Sequence, residues 1–276
     1  MKRSLWGVVI FGLSVLLALG AACSPRAWAQ AAGQTVAPAS AKPAPSIDEI
    51  IERSIRASGG REAWKRLTSL RMRGQAEVTG MDLPGTVEIQ AKAPNKVLQT
   101  IEFGQMVIRH AFDGQNGWQE LPGQGVTDMS GEELGQFKRD AEFHGELKFK
   151  ELYPQITYLG EEEVNNRSAY VIRAVPADGA ARKFYFDKET GLRVRTDDEK
   201  GMGGNPPPQI YFEDYKDAPG AGVKFPSTVR VVTPQFTVVM RMEEFTPNVA
   251  IDDAVFVKPA TGNAAGASSP NEKAPQ

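Results

Sequence analysis

Arg182-Lys183-Phe184-Tyr185-Phe186-Asp187-Lys188-Glu189-Thr190-Gly191-Leu192-Arg193-Val194-Arg195 reads as a β-hairpin. Phe184 and Phe186 alternate with Lys183, Tyr185 and Asp187. Beyond the turn, Leu192 and Val194 alternate with Arg193 and Arg195. A period of two gives each arm one apolar and one polar face. Asp187 to Gly191 makes the turn: an aspartate bonds backbone two residues on, and a glycine takes the positive φ that closes the loop. On this reading Arg193 and Arg195 lie on the wet face and pair across the strands with Asp187 or Glu189, for about 0.2–1 kcal/mol each. Nothing in the hairpin is catalytic. It predicts a sheet with one apolar face, and that face has to cover something.

The same period runs outward in both directions. Leu70, Met72, Gly74, Ala76 and Val78 share a face, then Val87, Ile89 and Ala91, then Val97, Ile101 and Phe103, then Met106, Ile108 and Phe112. Asp113-Gly114 and Asn116-Gly117 are turn dipeptides around Trp118. Strands resume at Thr157, and Asn165-Asn166 turns into Ala169–Val175. After the hairpin come Ile210 and Phe212, then Val229 and Val231, then Phe236, Val238, Met240 and Met242, with Ile251 and Phe256 closing an edge. Short strands at regular spacing with no βαβ rhythm make a meander of antiparallel hairpins of about ten or eleven strands.

Helices interrupt this pattern twice. Ser46-Ile47-Asp48-Glu49 is a capping box, Ile47, Ile50, Ile51 and Ile55 follow at helical spacing, and Gly59-Gly60 ends the run. Glu62-Ala63-Trp64 with Leu67 adds a short second turn. Ser130-Gly131-Glu132-Glu133 is a second capping box, opening a helix over 130–147 with Leu134, Phe137 and Ala141 on one stripe. A helix inserted in mid-meander lies over one side of the sheet or plugs its open end. The class is α+β: a large, strongly curved antiparallel sheet with helices covering its concave face.

The ends are of another kind. Lys2 and Arg3, the apolar run Leu5–Ala22 and the small-residue site Ala27-Trp28-Ala29 make residues 1–29 a secretory signal peptide, with a retained membrane anchor as the alternative. Leu19-Gly20-Ala21-Ala22-Cys23 resembles a lipobox imperfectly, since the apolar residue stands one place too far from the cysteine. The better-formed Ala-Trp-Ala site puts Cys23, the single cysteine, in the discarded peptide. Acylation at Cys23 is the other reading. Residues 30–45 and 260–276 are a leader and a tail of small, polar and proline residues, expected to be disordered. Residues 46–259 then form one domain. Cleavage takes 32 basic residues to 29 against 34 acidic ones, and the net charge from −2 to −5. That balance argues against a nucleic-acid footprint.

Several of these residues carry a resemblance. Gly59-Gly60-x-Glu62-Ala63-Trp64, Ser69-Leu70-x-x-x-Gly74, Phe112-Asp113-Gly114 with Gly117-Trp118, Phe184-Tyr185-Phe186-Asp187 with Thr190-Gly191-Leu192, Phe212-x-Asp214-Tyr215, Phe225-Pro226, and Asn248 with Ile251-Asp252-Asp253 and Phe256 occur in this order. Together they resemble the LolA/LolB-like superfamily, the outer-membrane lipoprotein-sorting carriers, over most of 46–259. The resemblance implies an unclosed β-barrel whose helices form a lid over an apolar cavity for acyl chains. This sequence is longer than the carriers, and their ligand-contact residues have no identified counterparts in it.

Two functions follow, of different kinds. One is a periplasmic binding or carrier protein for an acyl chain, a lipoprotein or another apolar ligand. It would be a monomer, served by an envelope donor or acceptor protein, with no cofactor, metal, nucleic acid or covalent chemistry. The other is a non-catalytic envelope module with a filled core. The candidate cavity residues are Met72, Phe103, Met106, Phe112, Phe184, Phe186, Phe212, Phe236, Met240 and Met242, under a lid carrying Leu134, Phe137 and Ala141. Methionine suits a pocket for variable chains, yet the same residues would equally make a packed core. His110 and His144 are the only histidines. His110 is expected half-buried on its strand and His144 on the exposed side of its helix. Glu161-Glu162-Glu163 and Asp197-Asp198-Glu199 lack the spacing of a Ca²⁺ loop and are expected as solvated turns.

Overall fold

The computed structural model describes residues 44–81, 83–201 and 206–260. The expected signal peptide, nearly all of the expected leader and the tail beyond 260 lie outside these residues. Helices α1 (Ile47–Ala57) and α2 (Arg61–Arg66) precede six strands: β1 (Ser69–Val78), β2 (Pro84–Lys92), β3 (Lys96–Phe103), β4 (Met106–Phe112), β5 (Gly117–Leu121) and β6 (Gly125–Asp128). Then come α3 (Gly131–Asp140) and α4 (Phe149–Leu152). Seven more strands follow: β7 (Gln155–Val164), β8 (Arg167–Val175), β9 (Arg182–Asp187), β10 (Arg193–Asp198), β11 (Gln209–Asp217), β12 (Lys224–Val232) and β13 (Thr237–Pro247). Among the described residues the strands number 13, above the expected ten or eleven; the four-residue β6 is too short to show a period. Ile251 and Phe256 do not close an edge. They flank and end a 3-10 turn (Asp253–Phe256) whose Phe256 carbonyl accepts from Trp118 Nε1 at 2.8 Å.

The sheet runs β6-β5-β4-β3-β2-β1-β13-β12-β11-β10-β9-β8-β7, every pairing antiparallel. First strand pairs with last, so the free edges are β6 and β7, which are consecutive in the chain. Gln99 on β3 reaches Met240 Sδ on β13 at 3.8 Å. In a flat sheet these strands would lie about 14 Å apart, at about 4.8 Å per step. The sheet is therefore strongly curved and unclosed, and segment 129–154 bridges its gap.

The hairpin turn forms as read. The Asp187 carboxylate accepts from Glu189 N, Thr190 N and Thr190 Oγ1 at 2.7–3.1 Å, and Gly191 stands at φ 80°. Its cross-strand pairs are different ones. Val194 is an extra residue on β10, because Arg193 faces Phe186 and Arg195 faces Tyr185. The bulge reverses the parity before it. Arg193 therefore joins Phe184 and Phe186 on the concave side and Arg195 stays outside. Arg195 pairs with Asp197 at 2.6 Å, and it is Arg167 that meets both Asp187 and Glu189. The outer face is also greasier than expected: Tyr185 is buried there with Val164, Ala169 and Val171.

Two glycines are demanded by close approach. A Cβ on Gly59 would lie 2.1 Å from the Gly222 carbonyl oxygen, where the end of α1 meets the β11–β12 turn. A Cβ on Gly74 would lie 1.9 Å from the Arg241 carbonyl oxygen, beside a bulge that leaves Glu243 unpaired in the β1–β13 ladder. Backbone cannot yield as a side-chain tip can. Gly74→Ala is expected to cost about 1–3 kcal/mol, read as a lower denaturant midpoint at unchanged slope.

Candidate functional site

Two packed regions divide the concave face. Over β8 and β9, Ile50, Ile51 and Ile55 of α1 and Phe149 and Tyr153 around α4 pack on Ile172, Ala174, Phe184 and Phe186. The Ser46–Glu49 capping box that starts α1 is formed. At one end of β1–β5, β12 and β13, Val87, Ile101, Phe103, Ile108, Val238 and Met240 make a second filled region. Between them lies a cavity of about 470 Å³. Its apolar wall is Met72, Ile89, Val97, Ile210, Phe212, Val229 and Met242. Trp64 and Leu67 border it, with Trp64 set edge-on to Phe225 at 5.4 Å. The polar side includes Asp140, Glu146, Arg182, Arg193, Thr196 and Lys224.

The roof is held at both sides of the gap. From α3, Phe137 meets His110 on β4 with ring centroids 6.2 Å apart, and Leu134 lies over Gly117 on β5. On the opposite arm, Gln136 donates to Asp198 at 3.0 Å, Arg139 meets Asp178 at 2.8 Å and Asp140 accepts from Arg182 at 3.0 Å. The expected helix over 130–147 stops at Asp140, and Ser130 makes no side-chain cap. Tertiary anchors take over beyond it. Phe143 N donates to the Pro94 carbonyl, and His144 Nε2 stands 3.0 Å from both the Trp64 and the Leu67 carbonyls. With two carbonyl partners that nitrogen carries the proton. His144 is therefore a half-buried tether, not an exposed side chain.

Arg182 is the centre of the buried charge. Burial opposes its cation, but Asp140 and Asp198 outweigh that and keep it protonated. Asp198 has its carboxyl pushed up by burial, against the pull of Arg182. Neither acidic run is the expected solvated turn: the first is solvated but lies in a strand, and the second is ion-paired at the end of β10. Asp197, Asp198 and Glu199 pair with Arg195, Arg182 and Arg173, and Glu161–Glu163 lie within strand β7. Among the described residues no cluster of three or more His, Cys, Asp or Glu could hold a metal ion.

This arrangement can be set beside known structures. A LolA superfamily protein from Nitrosomonas europaea superposes with a TM-score of 0.52 at 12% identity, covering 78% of this chain and 99% of that one. An outer membrane lipoprotein-sorting protein domain from Vibrio parahaemolyticus gives 0.51 at 12% identity, over 75% and 94%. The chain has the LolA/LolB-like fold. A DUF1329 family protein from Desulfovibrio piger gives 0.50 at 16% identity, over 76% and 97%. At the level of sequence no family model and no curated protein matches.

Within this LolA/LolB-like fold the candidate residues part company. Met72, Phe184, Phe212, Met242 and Ala141 line the cavity. Phe103 and Met240 lie in the filled region beside it, with Phe236 at its margin. Phe186 is under α1, and Phe112 is fully buried. Met106 is 43% exposed at the β3–β4 turn. Leu134 packs over Gly117 and Phe137 on His110, at the roof's attachment rather than at the void. Ile89, Val97, Ile210 and Val229 were in phase with the chosen residues but are aliphatic. Arg193 had no signal, since the Val194 bulge reverses its face; Thr196 was in phase with Leu192 and Val194 but is polar.

Half-buried His110 lies beneath the roof. Burial lowers its pKa from 6.5 to about 4. An unfolded chain takes up this proton below about pH 6.5, whereas the folded chain resists until about pH 4. The stability contributed by the neutral ring is complete above pH 6.5 and falls as pH drops toward 4. Between pH 7.5 and 4.5 the wild type is expected to lose about 1–3 kcal/mol more than His110→Leu, measured by denaturant unfolding of both at each pH.

Proposed function

We propose that the protein is a periplasmic carrier that holds an acyl chain, or another apolar ligand, in the half-barrel cavity and releases it by movement of the α3 roof, with no covalent chemistry. The observation that carries this reading is the cavity itself. Curved sheets of this size can be filled, and two regions of this one are; the void between them has an apolar wall and a volume within the ~300–1,000 Å³ usual for small-molecule sites. Each buried methylene would contribute about 0.8 kcal/mol, so a single chain can be held without covalent attachment. The solved structures with the same fold that are described as LolA superfamily and lipoprotein-sorting proteins support the carrier class. A lipoprotein cargo, or an envelope donor or acceptor, would engage the roof side. The alternative, an interaction module without a ligand, requires the cavity to stay empty in use.

Native mass spectrometry of protein purified from a bacterial envelope tests this. An adduct of lipid mass is expected on the wild type and not on Val97→Trp, which fills the void from its apolar wall. A bare mass, with no uptake of offered fatty acid, would leave the interaction module. The roof makes a kinetic prediction. Gln136→Ala combined with Asp178→Ala cuts two of the ties between α3 and the β8–β10 arm, and is expected to speed release of a bound fluorescent fatty acid several-fold in stopped flow. An unchanged release rate would place the exit elsewhere.

A further inference from the structure

Three buried polar atoms beside the cavity have no hydrogen-bond partner among the described residues: Arg139 Nε, Arg193 Nε and Thr196 Oγ1. Leaving a buried donor unpaired costs about 1–3 kcal/mol, so such atoms are rare and ask for a reason. Arg193 and Thr196 are neighbours on the concave face of β10, opposite Phe186 and Phe184; the Val194 bulge turns Arg193 inward to join Thr196 there. Thr196 is only 5% exposed.

The charges nearby are unequally committed. Arg182 is used up by Asp140, Asp198 and Tyr153. Glu142 faces Lys148 at 3.0 Å. Arg193 meets Glu146 at 2.9 Å, with the Asp140 carboxylate as a weaker second counter-charge, and its guanidinium rests on the Phe212 ring at 4.7 Å. The Tyr215 hydroxyl donates to the Arg193 carbonyl at 2.8 Å, and its oxygen also lies close to the guanidinium. A guanidinium has five donors. Donors therefore remain on Arg193, beside a threonine hydroxyl, opposite an apolar wall of Met72, Ile89, Val97 and Met242.

We propose that the cavity takes a single-chain amphiphile with an anionic head, a carboxylate or a phosphate, held by the Arg193 guanidinium and the Thr196 hydroxyl while its chain lies along the apolar wall. This rests on the carrier reading and names the chemistry of its ligand. A head with several acceptor oxygens satisfies what the fold leaves unpaired. Glu146 is then a competitor for Arg193, displaced in part when the anion arrives.

The test is calorimetric titration of the delipidated full chain with decanoate, decyl phosphate and decanol, which share a chain and differ in head. The anions are expected to bind at least tenfold tighter than the alcohol; whichever anion leads identifies carboxylate or phosphate. Thr196→Val should narrow that gap several-fold without lowering the denaturation midpoint, because it removes an unpartnered hydroxyl at nearly constant volume. Arg193→Lys keeps a charge opposite Glu146 and should also narrow the gap, while Glu146→Gln should tighten the anions alone. Equal binding of decanol, or a preference untouched by both Thr196→Val and Arg193→Lys, overturns the head site and leaves the carrier standing. No binding of any of the three overturns both. Acetate and inorganic phosphate should not displace decanoate at matched concentration. If they do, the site is one for a free anion and the amphiphile is overturned.

Discussion

The ladder between β1 and β13 governs everything else. It joins the two ends of the domain in the middle of the sheet, and Gly74 lets the backbones come close enough to do so. Once first and last strands are neighbours, the two meanders must grow away from each other. Their free edges are then the sixth and seventh strands, and the chain has to travel between them. The one connection that crosses the open side is thus the one that carries α3 and α4. A cover over the concave face is a result of strand order before it is a result of any side chain.

The cover is fixed by polar ties at one side and mostly by packing at the other. Gln136, Arg139 and Asp140 are tied to β8–β10 and the loops between them, while Leu134 and Phe137 rest on β4 and β5. None of the α3 residues is fully buried. Elements with little buried apolar surface sit at the low end of local stability, which is where moving parts are drawn from. The buried Arg182 network holds the roof's end in one place, a use of interior charge that favours geometry over net stability.

Much of the architecture was legible because it depends on period and punctuation. The alternation along β1, β2 and β9, the Ser46–Glu49 capping box and the Asp187–Gly191 turn are local features, and local physics forms them. What could not be read depends on parity and on distant partners. One inserted residue, Val194, exchanges the faces of Arg193 and Val194, and no pattern of types marks a bulge in advance. The end of α3 at Asp140 is set by Pro94, Trp64 and Leu67, far away in sequence. Whether a methionine lines a void or fills one is a matter of volume: Met240 and Met242 are two residues apart on the same face, and only the second borders the cavity.

An unclosed barrel has two raw sheet edges, each a template on which another copy could add a strand. Both are blunted here. β6 is only four residues long and begins at a glycine. β7 is longer, but Leu159 is an extra residue that breaks its pairing, and after Gly160 come Glu161, Glu162 and Glu163. A kink and an acidic run, of which Glu161 is paired with Lys188 while Glu162 and Glu163 are exposed, disfavour a second edge of the same kind. Lifting the roof would therefore open the cavity without seeding a continuous intermolecular sheet, and the glutamate run acts as a guard against polymerisation.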